Sequence, residues 1–240
     1  MLHTTPIPPQ ELVGINKPPP VPLQSPDQPL LNDLLPIDRL FITKKLRVRN
    51  VVLLKGRRNR YYIRTSDDSL VYTIEEFNNS WAGYFCLGLR PLQLRVTNGL
   101  GTEVMRIDRP YACTGRCFPC QLQHLDVFSP PGKLLGTVEQ QWSAVKPVYL
   151  VKNDNGEDLF WIQGPFMTIS FYSDVQFDIS RPDGTPVGAT CKRWQGLTHA
   201  IFFQPVSDNF GIAFEMDLTV EEKGLLLAAT LLMDYMYYDA

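Results

Sequence analysis

Three cysteines and a histidine lie close enough in the chain to share one chemical task. Cys113, Cys117 and Cys120 precede His124 in the spacing C-x3-C-x2-C-x3-H. Thiolate and imidazole are the donors zinc prefers, so a tetrahedral site is one reading. His124 alternates with Leu122 as on a strand, which makes zinc the less favoured use. Thioester lipidation of Cys113, Cys117 and Cys120 is the second reading, and it would tether the chain to a membrane. A set of reduced, partly exposed thiols is the third. Cys86 and Cys191 read as strand residues.

A second stretch has the length of a calcium loop. From Val206 to Asp217 it places Asp208 third, Gly211 at the sharp turn and Asp217 twelfth. Val206, Phe210 and Phe214 stand where side-chain oxygens are needed, and Ile212, Phe214 and Met216 alternate as a strand would. A turn entering a strand is therefore the competing reading. The basic run Lys55-Gly-Arg57-Arg58-Asn-Arg60 suits acidic headgroups, a nuclear-import signal or a solvated hairpin tip. Hydrolase, metalloprotease and P-loop patterns are absent from the chain, and Gly99-Leu-Gly101 does not continue into a dinucleotide fingerprint. Covalent catalysis by side chains is not expected.

The elements that must position these residues begin at the C-terminal end. Gly224 to Met233 carries no charge, and its only polar side chain is Thr230. Leu225, Leu226, Leu227, Leu231, Leu232 and Met233 predict a helix near 221–238 that is apolar on all sides. Thr219 and Glu222 stand three apart ahead of it, as in a capping box. Such a helix needs a closed protein core or a lipid bilayer. The uncharged run ends at Asp234, well short of the roughly 20 residues a span requires, which favours the core.

Four segments upstream repeat one pattern of strand, Gly-tipped turn and strand. They cover 92–107, 122–142, 148–162 and 175–194, with tips at Gly99, Gly132, Gly156 and Gly184. Leu92, Leu94 and Val96 alternate with polar residues, as do Val175, Phe177 and Ile179, so one face is buried. Strands around 61–63 and 70–74, and the pair 199–203 and 212–216, extend the series. The expected fold is mainly β, a closed antiparallel barrel whose lumen is filled by the terminal helix.

Residues 1–29 hold nine prolines and only Glu11, Lys17 and Asp27 as charges. This predicts a disordered, partly polyproline-II tail, with PxxP at Pro6 to Pro9 and Pro19 to Pro22 as ligands for SH3-type domains or as plain spacer. The expected division is a tail over 1–35 and one domain over 36–240. With 44% hydrophobic and 20% charged residues and a net charge of −2, the balance is ordinary for a globular protein and argues against generic nucleic-acid binding. An odd five cysteines and no apolar signal segment in the first 29 residues suit a reducing, cytosolic setting.

Several of these pieces occur together in one family. Cys117-Phe-Pro-Cys120, Ser129-Pro-Pro-Gly132, Ile162-Gln-Gly-Pro165, Trp194-Gln-Gly196 and Asp208-Asn-Phe-Gly-Ile212 running on to the terminal helix resemble the phospholipid scramblases. The resemblance covers roughly residues 36–240, and a Pro-rich tail is typical. It implies a fold similar to the tubby proteins, a barrel around a hydrophobic helix. It implies ATP-independent, calcium-activated movement of phospholipids in both directions, at the cytosolic face of the plasma membrane or, failing that, in cytosol or nucleus. It implies acylation at Cys117 and Cys120, although Phe118 and Gln121 stand where the family often has cysteine. For calcium it leaves Asp208, Asn209 and Asp217 as oxygen ligands, since Val206 replaces the usual acidic opening residue. A membrane-tethered lipid- or protein-binding module without transport of its own, monomeric or oligomeric, is the alternative it leaves open.

Overall fold

A computed structural model describes residues 30–47, 58–77, 91–110, 122–166, 174–192 and 209–238. Twelve strands alternate in direction and pair in sequence order. They are β1 (Arg39–Arg47), β2 (Arg58–Arg64), β3 (Leu70–Glu76), β4 (Leu92–Asn98), β5 (Glu103–Arg109) and β6 (His124–Ser129). Then come β7 (Lys133–Gln141), β8 (Val148–Asn153), β9 (Asp158–Gln163), β10 (Val175–Ser180), β11 (Pro186–Lys192) and β12 (Asn209–Phe214). β12 pairs antiparallel with β1, from Arg39 opposite Ala213 to Thr43 opposite Asn209, and this closes the barrel. Closure satisfies the last pair of backbone edges, which an open sheet would expose.

Inward positions follow the alternation in the sequence. Leu92, Leu94 and Val96 of β4 and Val175, Phe177 and Ile179 of β10 are all buried. Each of the four predicted hairpins is present, as β4–β5, β6–β7, β8–β9 and β10–β11. The first differs at its tip. Gly101, rather than Gly99, takes the left-handed conformation, with φ +78°, and its N–H donates to Asn98 O at 2.9 Å. Gly156 repeats this geometry with φ +83° and a bond to Asn153 O. In both, the residue with positive φ donates the hydrogen bond that closes a four-residue turn, a position that costs an L side chain strain.

The helix α1 (Val220–Tyr238) is enclosed by the barrel. Leu226, Leu227 and Leu232 are 0% exposed, and Leu225, Leu231 and Met233 are 1%. Its start is the reciprocal cap read from the sequence: Thr219 N–H donates to Glu222 Oε2 at 2.8 Å, and Glu222 N–H to Thr219 Oγ1 at 3.2 Å. The helix fits closely where β7 and β8 pass it. A Cβ on Gly136 would run into the Lys152 carbonyl oxygen and Leu225.

The domain begins earlier than composition suggests. A single 3-10 turn (Asn32–Leu34) precedes β1, and Leu31 and Leu34 are buried beside the helix, Leu31 lying against Gly224. The expected tail boundary at 35 therefore moves back to at least residue 30, because two leucines have apolar partners there. The remaining tail, 1–29, and the expected strand at 199–203 lie outside the described residues.

Full burial of a Leu contributes roughly 1.5–3 kcal/mol, and truncating one leaves a cavity as well. Leu226→Ala is expected to lower unfolding free energy by about 2–5 kcal/mol. Leu100→Ala, on a chain turn where Leu100 is 65% exposed, should change it by less than about 0.5 kcal/mol. Denaturant titration of both variants checks this, and equal effects would remove the helix from the core.

Candidate functional site

Alternating strand direction sorts the connections into two rims. The short turns 65–69, 99–102, 130–132, 154–157, 181–185 and 215–219 all lie at the end where α1 begins. The other rim, where α1 ends, bounds the longer connections between β1 and β2, β3 and β4, β5 and β6, β7 and β8, β9 and β10, and β11 and β12. Cys113, Cys117 and Cys120 belong to the connection between β5 and β6, and lie outside the described residues together with Lys55, Arg57 and Asp208. Arg58 opens β2, and Arg60 on the same strand forms an ion pair with Glu75 of β3. The strand ends thus direct the cysteine-bearing and basic connections to one rim, the long-connection rim.

The middle of the expected calcium loop is a strand, and Val206 to Asp208 lie outside the described residues. Asn209–Phe214 is strand β12, hydrogen-bonded on both sides, with Gly211 opposite Phe41 and Cys191. Asn209 starts at the long-connection rim, and exposed Asp217 sits in the turn at the other. Five strand steps of about 3.3 Å separate Asn209 from Phe214, roughly 17 Å before the turn. Asn209 and Asp217 therefore do not converge on one ion. The alternation of Ile212, Phe214 and Met216 was the signal that favoured the strand. Among the described residues, no group of three or more His, Cys, Asp or Glu converges as a metal site. His124 instead contacts Asp126, Nε2 to Oδ1 at 2.9 Å.

Polar groups inside the barrel carry the least expected geometry. Asp234, 2% exposed on the helix, accepts from Lys44 Nζ at 3.3 Å and from the Tyr61 hydroxyl at 3.1 Å. Lys44 is reached because it shares the inward parity of Leu40 and Ile42 on β1. That parity, with an acid inside an apolar helix, was the available sequence signal for the pair. Further round the barrel, on β5, Arg109 Nε donates to Gln123 Oε1 at 2.6 Å, and its guanidinium lies 4.8 Å from the Tyr235 ring centroid. Gln123 and Gln140 bridge β6 to β7, the Gln123 N–H donating to Gln140 Oε1 at 3.2 Å. The Tyr149 and Tyr237 hydroxyls share a hydrogen bond at 2.7 Å. Lys44 and Arg109 thus place positive charge around the helix C-terminus, where the macrodipole is negative.

At the opposite end Lys223 is fully buried and still satisfied. Its ammonium donates to Leu34 O at 3.1 Å, Leu35 O at 3.1 Å and Ile37 O at 2.8 Å. Burial pushes this ammonium below the usual lysine range, and Asp38 and Asp217 act against that shift. Three carbonyl acceptors fix the 3-10 turn over the barrel floor. Thr230, in the middle of the helix, bonds back to Leu226 O at 2.9 Å.

Removing one member of a buried pair leaves an uncompensated charge, at about 3–5 kcal/mol. Asp234→Leu is expected to destabilise by that amount, and Lys44→Met added to it should recover much of the loss. Thermal or denaturant unfolding of the four-member cycle measures the coupling. Additive effects would mean that the two charges do not act on each other.

A family model described as Scramblase matches residues 17–240. The chain is 34% identical over 222 residues to phospholipid scramblase 1 of Mus musculus, covering 92% of this chain and 66% of that protein. It is 34% identical over 212 residues to phospholipid scramblase 2 of Bos taurus, covering 88% and 72%. It is 32% identical over 212 residues to phospholipid scramblase family member 5 of Homo sapiens, covering 88% and 78%. The chain thus spans about two thirds of the length of the mouse relative. No solved structure matches the chain significantly.

Proposed function

The chain belongs to the phospholipid scramblase family, and from that premise we propose that it moves phospholipids between the leaflets of a membrane, in both directions and without ATP. The observation that carries this reading is the family match across nearly the whole barrel and helix. Lipid translocation, not covalent chemistry, is the activity the family suggests. Membrane association at the cytosolic face, acylation at Cys113, Cys117 and Cys120 and recruitment of SH3-type domains by the Pro-rich tail complete the proposal.

Calcium dependence is its finer part. Of the expected ligands, Asp208 directly precedes Asn209, the first residue of β12, in the chain, and Asp217 lies in the turn after that strand. A calcium site built from Asp208 and Asn209 would therefore exclude Asp217. Weak affinity, of order millimolar, suits so few oxygen ligands.

One observation favours a second reading, a membrane-tethered module without transport of its own. The helix fills the lumen, and among the described residues no helix is long and apolar enough to cross a membrane. A filled barrel offers lipid headgroups no polar path along its axis, so movement would need an oligomer or a partner.

Proteoliposomes with a fluorescent phospholipid placed in one leaflet separate the two readings. The first predicts loss of leaflet asymmetry that depends on protein dose, rises with calcium and persists without ATP. Asp208→Ala should blunt the calcium response, and Asp217→Ala should leave it intact. Vesicle binding with no leaflet mixing, with calcium or without, would contradict transport and establish the tethered module.

A further inference from the structure

The barrel is electrically polarised from end to end. The short-turn rim is fully described, and its connections hold two carboxylates each in 30–38, 65–69, 154–157 and 215–219 and one in 181–185. All nine are exposed, and Arg181 is the only cation in these connections, a net of −8. The whole chain carries −2, so the remainder carries +6. Nine of the protein's 25 carboxylates thus lie in the connections of one rim, with a single cation among them.

Large apolar side chains are exposed at both ends, so hydrophobicity alone does not choose between them. Leu35, Leu70, Leu100 and Met216 stand among the carboxylates. The long-connection rim instead exposes aromatics: Phe77 at 58%, Trp142 at 58% and Phe166 at 68%, with Val145 at 53%. Trp142, Val145 and exposed Lys146 share the β7–β8 connection. Gly164 N–H donates to Pro147 O at 2.9 Å, which ties that connection to the one carrying Phe166. Three apolar side chains and a lysine therefore stand on one side of the rim.

Trp and Phe beside Lys are the side chains that settle at a membrane interface, ring at the headgroup level and ammonium among the phosphates. Each Lys or Arg near an anionic leaflet is attracted to it, and each carboxylate is repelled by it. Charge complementarity thus commits this surface to one occupant. We infer that the barrel docks end-on to an anionic phospholipid bilayer through Trp142, Val145, Lys146, Phe166 and Phe77, with the carboxylate rim and the start of α1 pointing away. The inference rests on the membrane reading above and adds which face meets the lipid. α1 then stands along the membrane normal, with its C-terminal end nearest the lipid and inside the barrel.

Co-sedimentation of the full, unacylated chain with vesicles tests this, using phosphatidylcholine alone and phosphatidylcholine with phosphatidylserine. The expected result is binding to the anionic vesicles that falls as salt is raised. A Trp142→Glu, Lys146→Glu, Phe166→Glu variant with unchanged unfolding midpoint should bind about tenfold or more weakly, since tenfold corresponds to 1.4 kcal/mol. Leu100→Glu on the opposite rim should bind like the unaltered chain. As a second readout, a chain retaining Trp142 as its only tryptophan should be quenched by brominated phosphatidylcholine in the anionic vesicles. Undiminished binding by the triple variant, or equal loss in Leu100→Glu, would overturn the docking face and leave the membrane reading standing. No vesicle binding by the unaltered chain would overturn both.

Discussion

α1 has no polar face, and the barrel is arranged around that constraint. A helix apolar on all sides must be enclosed or placed in lipid. Twelve strands enclose it here, each presenting alternate residues inward, and β12 meeting β1 leaves no open edge. The few polar groups on the helix are matched one by one. Lys223 meets three carbonyls at the floor, Thr230 bonds back along its own helix, and Asp234 meets Lys44 and Tyr61 at the far end. A helix rotated or shifted by one residue would strand these groups in an apolar lumen, so the polar contacts fix its register while the leucines supply most of the stabilisation.

The same polarity runs through helix and wall. Glu221 and Glu222 occupy the first turn of α1, beside the carboxylate rim. The last turn carries no basic residue of its own, and Lys44 and Arg109 reach it from β1 and β5. Lys223 in the first turn and Asp234 near the last run against the dipole, and three carbonyls and Lys44 compensate them in turn. The arrangement that stabilises the buried helix also gives the molecule distinct ends, and the long connections, with the cysteines and the basic run, belong to the end enriched in base and aromatics.

Much of this was legible in the sequence because it is periodic or local. Alternation at Leu92, Leu94 and Val96 named the inward face, Gly-bearing turns marked the hairpins, and Thr219 with Glu222 marked the helix start. The misses share a cause, since each depended on a contact distant in the chain. Leu31 and Leu34 looked like part of a Pro-rich tail until the helix 190 or so residues later supplied their partners. Asp234 read as the end of an apolar run, because Lys44, which pairs with it, lies 190 residues away. The stretch from Val206 to Asp217 could be aligned to a calcium loop by spacing, but pairing with β1 and β11 extends its middle, Asn209–Phe214, and separates Asn209 from Asp217. Polarity between the rims was equally hidden, since it appears only once strand direction assigns each turn to an end.

Amide hydrogen exchange across α1, measured on the chain free in solution and bound to anionic vesicles, tests the enclosed helix most directly. Amides of a barrel core open only with global unfolding. The Leu225–Met233 amides are expected to exchange at the rate set by global stability, to match the slowest amides of the strands, and to do so equally with and without vesicles. Fast exchange in solution that becomes protected only on vesicle binding would show that the helix leaves the barrel for lipid, and would contradict the enclosed core.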